Sequence, residues 1–252
     1  MTDAPGTSRI LTLVFTDLVG STALKTERGD HAIGELIARH RTHVRRLAAE
    51  GAGRIVSWAG DGCFLTFEAP SAAVLFALRL QQAHADEPDL PGVRTGLHLG
   101  EVSEQRGPDG DVEGLAVDLA ARISGLAGPA QVLMSASVAD SARPRLDHAT
   151  FARPIRWQTH GRYALKGFDE ALEIREVGIE GVAPFVAPAA SDKAGPAQPV
   201  RPATAGRRTL PAALVAVAVL GAAAAYLLRS PAAERPTAAR PAASPSASAE
   251  NP

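Results

Sequence analysis

The sequence has little of several features that would each indicate a class of protein. Its 252 residues contain a single cysteine, Cys63, so no disulfide can form within one chain. The net charge is −1 and the basic residues are scattered, which leaves no positive patch for a nucleic-acid backbone. The first apolar run, residues 10–15, is too short for the core of a signal peptide. We therefore expect an N-terminal domain that stays in the cytosol and binds no nucleic acid.

The composition of the chain changes after about residue 181. Alanine, proline, serine and arginine dominate beyond that point, and such a segment buries too little apolar surface to fold alone. Residues 210–228 carry no charge, and a helix of that length would extend roughly 28 Å, close to a bilayer core. Because the run is rich in alanine, a soluble helix is the alternative. The predicted segments are a folded domain (8–178), a linker (179–209), a transmembrane helix (210–228) and a disordered tail (229–252).

The folded domain alternates between strand and helix patterns. Compact apolar runs of strand length are separated by stretches with apolar residues at helical spacing. The predicted strands include residues 10–15, 54–58, 63–67 and 93–102, and the predicted helices lie at about 33–47, 70–84 and 114–126. This order predicts an α+β sandwich with a mostly antiparallel sheet and helices covering one face.

Two aspartates lie where apolar runs meet turns of small residues. Asp17 precedes a Gly-Ser-Thr sequence at 20–22, and Asp61 lies between two glycines at the tip of the predicted hairpin. Small residues around a carboxylate allow a phosphate and a divalent cation to approach, so the pair indicates a metal site. Taken singly, Asp17 also fits a helix cap and Asp61 an ordinary hairpin turn.

Six short motifs between about residues 10 and 177 together resemble the catalytic domain of class III nucleotidyl cyclases. They are VFTDLVGST (14–22), AGDGCF (59–64), RTGLHLGEV (94–102), GDVEG (110–114), VDLAARI (117–123) and YALKGF (163–168). Each motif alone is weak, but their common order makes the resemblance specific. It implies the ferredoxin-like core of that family, with a helix-covered antiparallel sheet.

The resemblance also implies catalytic roles for particular residues. Asp17 and Asp61 fall where the family binds two Mg²⁺ or Mn²⁺ ions, and the Leu18 carbonyl would add a ligand. Arg122 falls where the family stabilises charge on the α-phosphate, and Lys166 where it reaches the terminal phosphates. The alternatives are a helix-surface role for Arg122 and a strand-edge role for Lys166.

Three further positions bear on which nucleotide binds. By the same resemblance, Asp111 accepts a hydrogen bond from the adenine amino group, where a guanine carbonyl would be repelled. Ser57 replaces the lysine that reads the purine in adenylate-specific members. Asp118 replaces the asparagine that orients the ribose, which removes an amide donor and adds negative charge.

These observations predict a membrane-anchored enzyme that converts ATP to 3′,5′-cyclic AMP and pyrophosphate. The resemblance implies a homodimer whose active sites are shared between two chains. Residues 210–228 would hold the protein in the cell membrane by a single span, with the catalytic domain in the cytoplasm. Two alternatives remain, a guanylate or relaxed-specificity cyclase and a catalytically feeble cyclase-like regulatory module.

Overall fold

The computed structural model describes residues 7–104, 111–146 and 151–197. These residues belong to one compact unit of the chain, Met1–Gln198. The predicted transmembrane helix at 210–228 and the predicted tail at 229–252 lie outside the described residues. Among the helices of the described part, none is both long and apolar enough to cross a membrane.

Strands and helices alternate along the described residues. The strands are β1 (Thr7–Leu18), β2 (Arg54–Ala59), β3 (Gly62–Phe67), β4 (Val93–Glu104), β5 (Val112–Glu113), β6 (Val132–Ser135), β7 (Ile155–Leu165), β8 (Leu172–Ile179) and β9 (Ala194–Pro196). The helices are α1 (Ser21–Glu50), α2 (Pro70–Ala85), α3 (Leu115–Leu126) and α4 (Ala136–Ala142), with a 3₁₀ turn at Arg143–Arg145. Helix α1 is interrupted at Gly29, whose φ of 84° and ψ of 166° are not helical.

The strands form one sheet in the order β2-β3-β1-β4-β6-β8-β7-β9, with β5 paired to the end of β4. Neighbouring strands are antiparallel except β4 and β6, which are parallel. The central pair, β1 and β4, is aligned over its whole length, from Thr7 opposite Glu104 to Leu18 opposite Val93. The protein therefore has the α+β fold, with a sheet covered by helices, that the sequence pattern predicted.

Helices cover both faces of the sheet, and the expectation that they cover one face is wrong. Val14 of β1 packs in a core shared with α1, α2 and α4, whereas Leu11 and Leu13 of the same strand pack against α3. Successive side chains of a strand point to opposite faces, so the central strand contributes to both cores. Helix α3 approaches β4 closely because Gly100 has no side chain there, and a methyl group on it would lie 2.5 Å from Ala116 Cβ.

The packed unit continues past residue 178, where the sequence analysis ended the folded domain. Residues 183–197, which we call the strap, run back along the sheet and end in β9, the outermost strand beside β7. The Tyr163 hydroxyl of β7 donates a hydrogen bond to the Pro188 carbonyl at 3.1 Å. The strap thus covers the β7 end of the domain.

Candidate active site

The two predicted metal ligands lie beside each other at one end of the sheet. Asp17 is the penultimate residue of β1, and Asp61 occupies the turn between β2 and β3, next to Gly60 with a φ of 64°. Strands β1 and β3 are paired with Thr16 opposite Cys63, which brings the hairpin turn alongside Asp17. A methyl group on Gly62 would lie 3.5 Å from Asp17 Oδ1, so a larger residue would crowd this carboxylate.

The Asp61 carboxylate is suited to bind a cation. Its Oδ2 atom is buried and has no hydrogen-bond partner among the described residues. A buried carboxylate oxygen without a partner is costly, and a divalent cation is the ligand that would compensate it. Asp17 and Asp61 are therefore residues that could hold the metal implied by the resemblance.

Arg94 is a residue of this site that the sequence analysis quoted in a motif but assigned no role. It lies directly opposite Asp17 in the β1–β4 pairing, and its guanidinium donates to Asp17 Oδ2 from Nε at 2.8 Å and also from Nη2. Both side chains are about one-third exposed, at 29% for Asp17 and 34% for Arg94. The arginine balances the aspartate charge and places a positive group at the mouth of the site.

Asp17 and Arg94 line a cleft of about 250 Å³, which we call the aspartate cleft. Its floor contains the stacked rings of Phe15 and Phe64, with centroids 4.5 Å apart. Ser57, at the predicted purine-reading position, lines the same cleft as Asp17. The opposite wall is formed by residues of α3, namely Ala121, Ser124 and Gly125.

A second cleft, with a volume of about 320 Å³, adjoins the first along α3, since Ala121 and Gly125 line both. We call it the arginine cleft. Asp118 and Arg122, one helical turn apart on α3, line it together with Ser191 and Lys193 of the strap. Among the described residues, no side chain forms an ion pair with Arg122 or Lys193. The guanidinium and ammonium groups are free to bind an anion.

The remaining predicted residues lie around these two clefts. Lys166 is exposed in the turn after β7, and its backbone N–H donates to the Lys193 carbonyl at 2.8 Å, which places it next to the arginine cleft. Leu18 ends β1 with its side chain buried, immediately after Asp17. Asp111 is exposed just before β5 and lines neither cleft. One chain therefore brings Asp17, Asp61 and Ser57 together, and separately brings Asp118, Arg122 and Lys166 together.

Cys63 and His98 are buried residues with a structural role. Burial raises the pKa of the Cys63 thiol to about 12, which leaves no thiolate for chemistry near neutral pH. His98 is buried, its pKa is lowered by burial, and its Nδ1 lies 3.0 Å from the Ser135 hydroxyl. Cys63 is part of the wall of the aspartate cleft, and His98 lines neither cleft.

Comparison with known proteins identifies the family and agrees with the fold. The family described as "Adenylate and Guanylate cyclase catalytic domain" matches residues 5–174 of the chain. An adenylate cyclase of Streptomyces coelicolor is 32% identical over 132 residues, which are 52% of this chain and 34% of that protein. The crystal structure of the adenylyl cyclase CyaB from P. aeruginosa superposes with a TM-score of 0.56 at 22% identity, covering 68% of this chain and 94% of that one. The crystal structure of the guanylyl cyclase Cya2 superposes with a TM-score of 0.56 at 20% identity, covering 74% of this chain and 100% of that one.

The chain belongs to the family of adenylate and guanylate cyclase catalytic domains, because the match covers residues 5–174. Its fold agrees with that of the solved cyclase catalytic domains. The solved structures include both adenylyl and guanylyl cyclases, so the fold alone does not decide between the two purines. The chain spans about a third of the length of the curated relatives it matches.

Proposed function

We propose that this protein converts ATP to 3′,5′-cyclic AMP and pyrophosphate in a homodimer. The observation that carries the proposal is the separation of the two clefts within one chain. Carboxylates suited to a cation lie at the aspartate cleft, whereas Arg122 and two lysines, without an ion-pair partner among the described residues, lie at or beside the arginine cleft. A two-fold dimer that sets the aspartate cleft of one chain against the arginine cleft of the other would complete two equivalent sites.

The aspartate cleft would bind the metal-bound nucleotide. Asp17 and Asp61 would hold two Mg²⁺ or Mn²⁺ ions, with the Leu18 carbonyl as an additional ligand. When bound, these ions lower the pKa of the ribose 3′-hydroxyl and neutralise the phosphates. Arg94, released from Asp17 when that carboxylate binds a cation, would then be available to the triphosphate.

The arginine cleft would act on the charge that develops as the ribose 3′-oxygen displaces pyrophosphate. The guanidinium of Arg122 presents a fixed fork of donors, which suits the oxygens of the α-phosphate in the transition state. Lys166 would bind the terminal phosphates and the departing pyrophosphate. Asp118 would position the ribose, where it can accept a hydrogen bond from a hydroxyl but cannot donate one.

We favour ATP over GTP because the resemblance assigns Asp111, which lines neither cleft of its own chain, the role of accepting a hydrogen bond from the adenine amino group. The name of the Streptomyces coelicolor relative, adenylate cyclase, agrees with this assignment. Ser57 can both donate and accept, so it discriminates weakly between the purines. A guanylate or relaxed-specificity cyclase is the second candidate, and Ser57 in the place of a lysine is the observation that favours it.

The membrane attachment stays part of the proposal. Residues 210–228 would form a single span in the cell membrane, with the catalytic domain on the cytoplasmic side, where nucleotides are present. Anchoring two chains in one plane would raise their effective concentration and assist dimer formation.

The proposal is tested by assaying the purified full-length chain, in mild detergent, with ATP or GTP and with Mg²⁺ or Mn²⁺. We expect cyclic AMP from ATP, a smaller yield of cyclic GMP from GTP, and no product from Asp61→Asn. Asp30→Asn is the matched control, because Asp30 is an exposed aspartate of α1 that pairs with Lys25. Greater production of cyclic GMP would support the second candidate. Nucleotide binding without either product would show a regulatory module, and full activity of Asp61→Asn would exclude the metal role of that residue.

A further inference from the structure

The strap is fixed to the domain, although the family match ends at residue 174, before the strap begins. Gln131 Nε2 donates to the Val186 carbonyl at 2.7 Å, and the Tyr163 hydroxyl donates to the Pro188 carbonyl at 3.1 Å. Beyond these contacts β9 adds a strand to the sheet. Side chains of the domain thus satisfy the backbone of a segment that has little apolar surface of its own.

A buried carboxylate anchors the start of the strap. Glu176 of β8 is fully buried, and it accepts from His160 Nε2 at 2.7 Å and from Gln131 Nε2 at 2.9 Å. Its other oxygen accepts from the Phe185 backbone N–H at 3.2 Å. Because every partner of this carboxylate is itself held by the sheet or the strap, the strap has a defined position relative to β8.

The end of the strap forms a tight turn that presents one lysine to the arginine cleft. The backbone N–H of Ser191 donates to the Ala194 carbonyl at 2.7 Å, and the Lys193 N–H donates to the Ser191 hydroxyl at 3.3 Å. Ala194 is buried in a cluster that includes Ile123 of α3, the neighbour of Arg122. The turn is therefore packed against the helix that carries the arginine, and Lys193 lines the same cleft.

The charges in this cleft suit a polyphosphate. Arg122 and Lys193 line it, and Asp118 is the only acid among its described lining residues. Lys166 lies next to Lys193, because its backbone N–H donates a hydrogen bond to the Lys193 carbonyl. The chain has only three lysines, and the third, Lys25, pairs with Asp30 at 3.3 Å in α1. An ammonium group is a compact point charge on a flexible stem, so it can follow the terminal phosphates as they rotate.

We propose that Lys193 is an additional residue that binds the terminal phosphates of the nucleotide and the product pyrophosphate, beside Lys166. This inference rests on the proposed function, since it assigns a further ligand to the same site. The contact would exist before, during and after the reaction. It therefore affects the affinity for nucleotide and pyrophosphate, and leaves the maximal rate nearly unchanged.

Lys193→Gln in the full-length chain tests the proposal, with Lys25→Gln as the matched control and Lys193→Arg as the charge-conserving variant. For the loss of one exposed charged contact, we expect KM for ATP to rise roughly three- to tenfold, with kcat within about twofold of wild type. The dissociation constant of inorganic pyrophosphate, measured by calorimetry at low salt, should rise by a similar factor. Lys193→Arg should restore most of the binding, and Lys25→Gln should match wild type in both measurements.

The calorimetric measurement separates this inference from the proposed function. If the wild-type chain makes no cyclic nucleotide but Lys193→Gln weakens pyrophosphate binding, the phosphate-binding role stands and the cyclase proposal fails. If pyrophosphate does not bind the wild-type chain, or binds Lys193→Gln as tightly as wild type, the role of Lys193 is excluded. A fall in the thermal unfolding temperature with unchanged pyrophosphate affinity would show a structural role and overturn the proposal as well.

Discussion

Replacing Gly96 by alanine should push α3 away from the sheet. A methyl group on Gly96 would lie 2.1 Å from the Ser124 backbone nitrogen and 2.4 Å from Ser124 Cα, where ordinary contact begins at 3.4 Å. The helix backbone would have to move by about 1.3 Å, the difference between 3.4 and 2.1 Å. Because the obstacle is main chain and not the end of a flexible side chain, no rotamer change relieves it.

The displacement should lower both stability and activity. Overpacking in a close-packed interior costs about 1–3 kcal/mol, and contact with helix backbone places Gly96→Ala at the upper end, near 3 kcal/mol. Arg122 lies two residues before Ser124 on the same helix, so it would move with it. A shift of about 1 Å in a catalytic group reduces the rate on the order of 100-fold.

The measurement is urea unfolding of the full-length chain followed by circular dichroism, together with the cyclase assay. Gly34→Ala is the control, because Gly34 is exposed in α1 with no atom within 4 Å of an added methyl group. Alanine has a higher helix propensity than glycine, so Gly34→Ala should raise the free energy of unfolding by about 0.5–1 kcal/mol. An unfolding midpoint for Gly96→Ala equal to that of wild type would show that α3 does not pack on β4 in the way described.

Three further predictions concern a buried histidine pair, the proposed dimer and the proposed membrane span. His40 and His84 are buried with Nδ1 and Nε2 3.0 Å apart, and burial lowers both pKa values, that of His40 to about 3. Both rings therefore stay neutral in the folded protein near neutral pH, whereas in the unfolded chain they bind protons below about pH 6.5. The contribution of this pair to the free energy of unfolding should be constant above about pH 6.5. Below that pH it should fall by up to about 1.4 kcal/mol per pH unit for each histidine. Urea unfolding at pH 7.5 and 5.5 measures this, and equal midpoints would refute it. Coexpression of Asp17→Ala with Arg122→Ala should restore part of the activity that each lacks alone, since one site of a mixed dimer carries neither change. Mixed dimers that remain inactive would exclude shared sites. Finally, Leu220→Arg should impair membrane retention, since a charge in mid-span costs about 2.5–3.5 kcal/mol on insertion scales. Carbonate washing of membranes measures the retention. If the variant is retained as firmly as wild type, the span is not centred at Leu220.

The local features of the site were predictable from the sequence, and the long-range ones were not. Asp17 and Asp61 could be placed because a strand end and a hairpin turn have signals within a few residues. The contact between Asp17 and Arg94 joins residues 77 positions apart. It depends on the pairing of β1 with β4, two strands that no single turn connects, so no local signal identifies it.

The packing of the strap on the domain was not predicted, for a different reason. Its composition is that of a linker, and the argument from composition counts only the apolar surface that a segment brings itself. Gln131, Tyr163 and Glu176 lie in the preceding domain and supply the hydrogen bonds that hold the strap. The sequence of a segment does not show that side chains from elsewhere in the chain will hold it in place.

The two clefts share a wall formed by helix α3, since Ala121 and Gly125 line both of them. In the proposed dimer, the same helix would therefore contribute to both active sites. Occupation of the first site that moves α3 would then change the shape of the second without any contact between the two nucleotides. The affinity of each site would depend on the other, and this thermodynamic coupling would be the same in both directions. A single helical turn would thus make the two halves of the dimer respond as one unit to the nucleotide concentration.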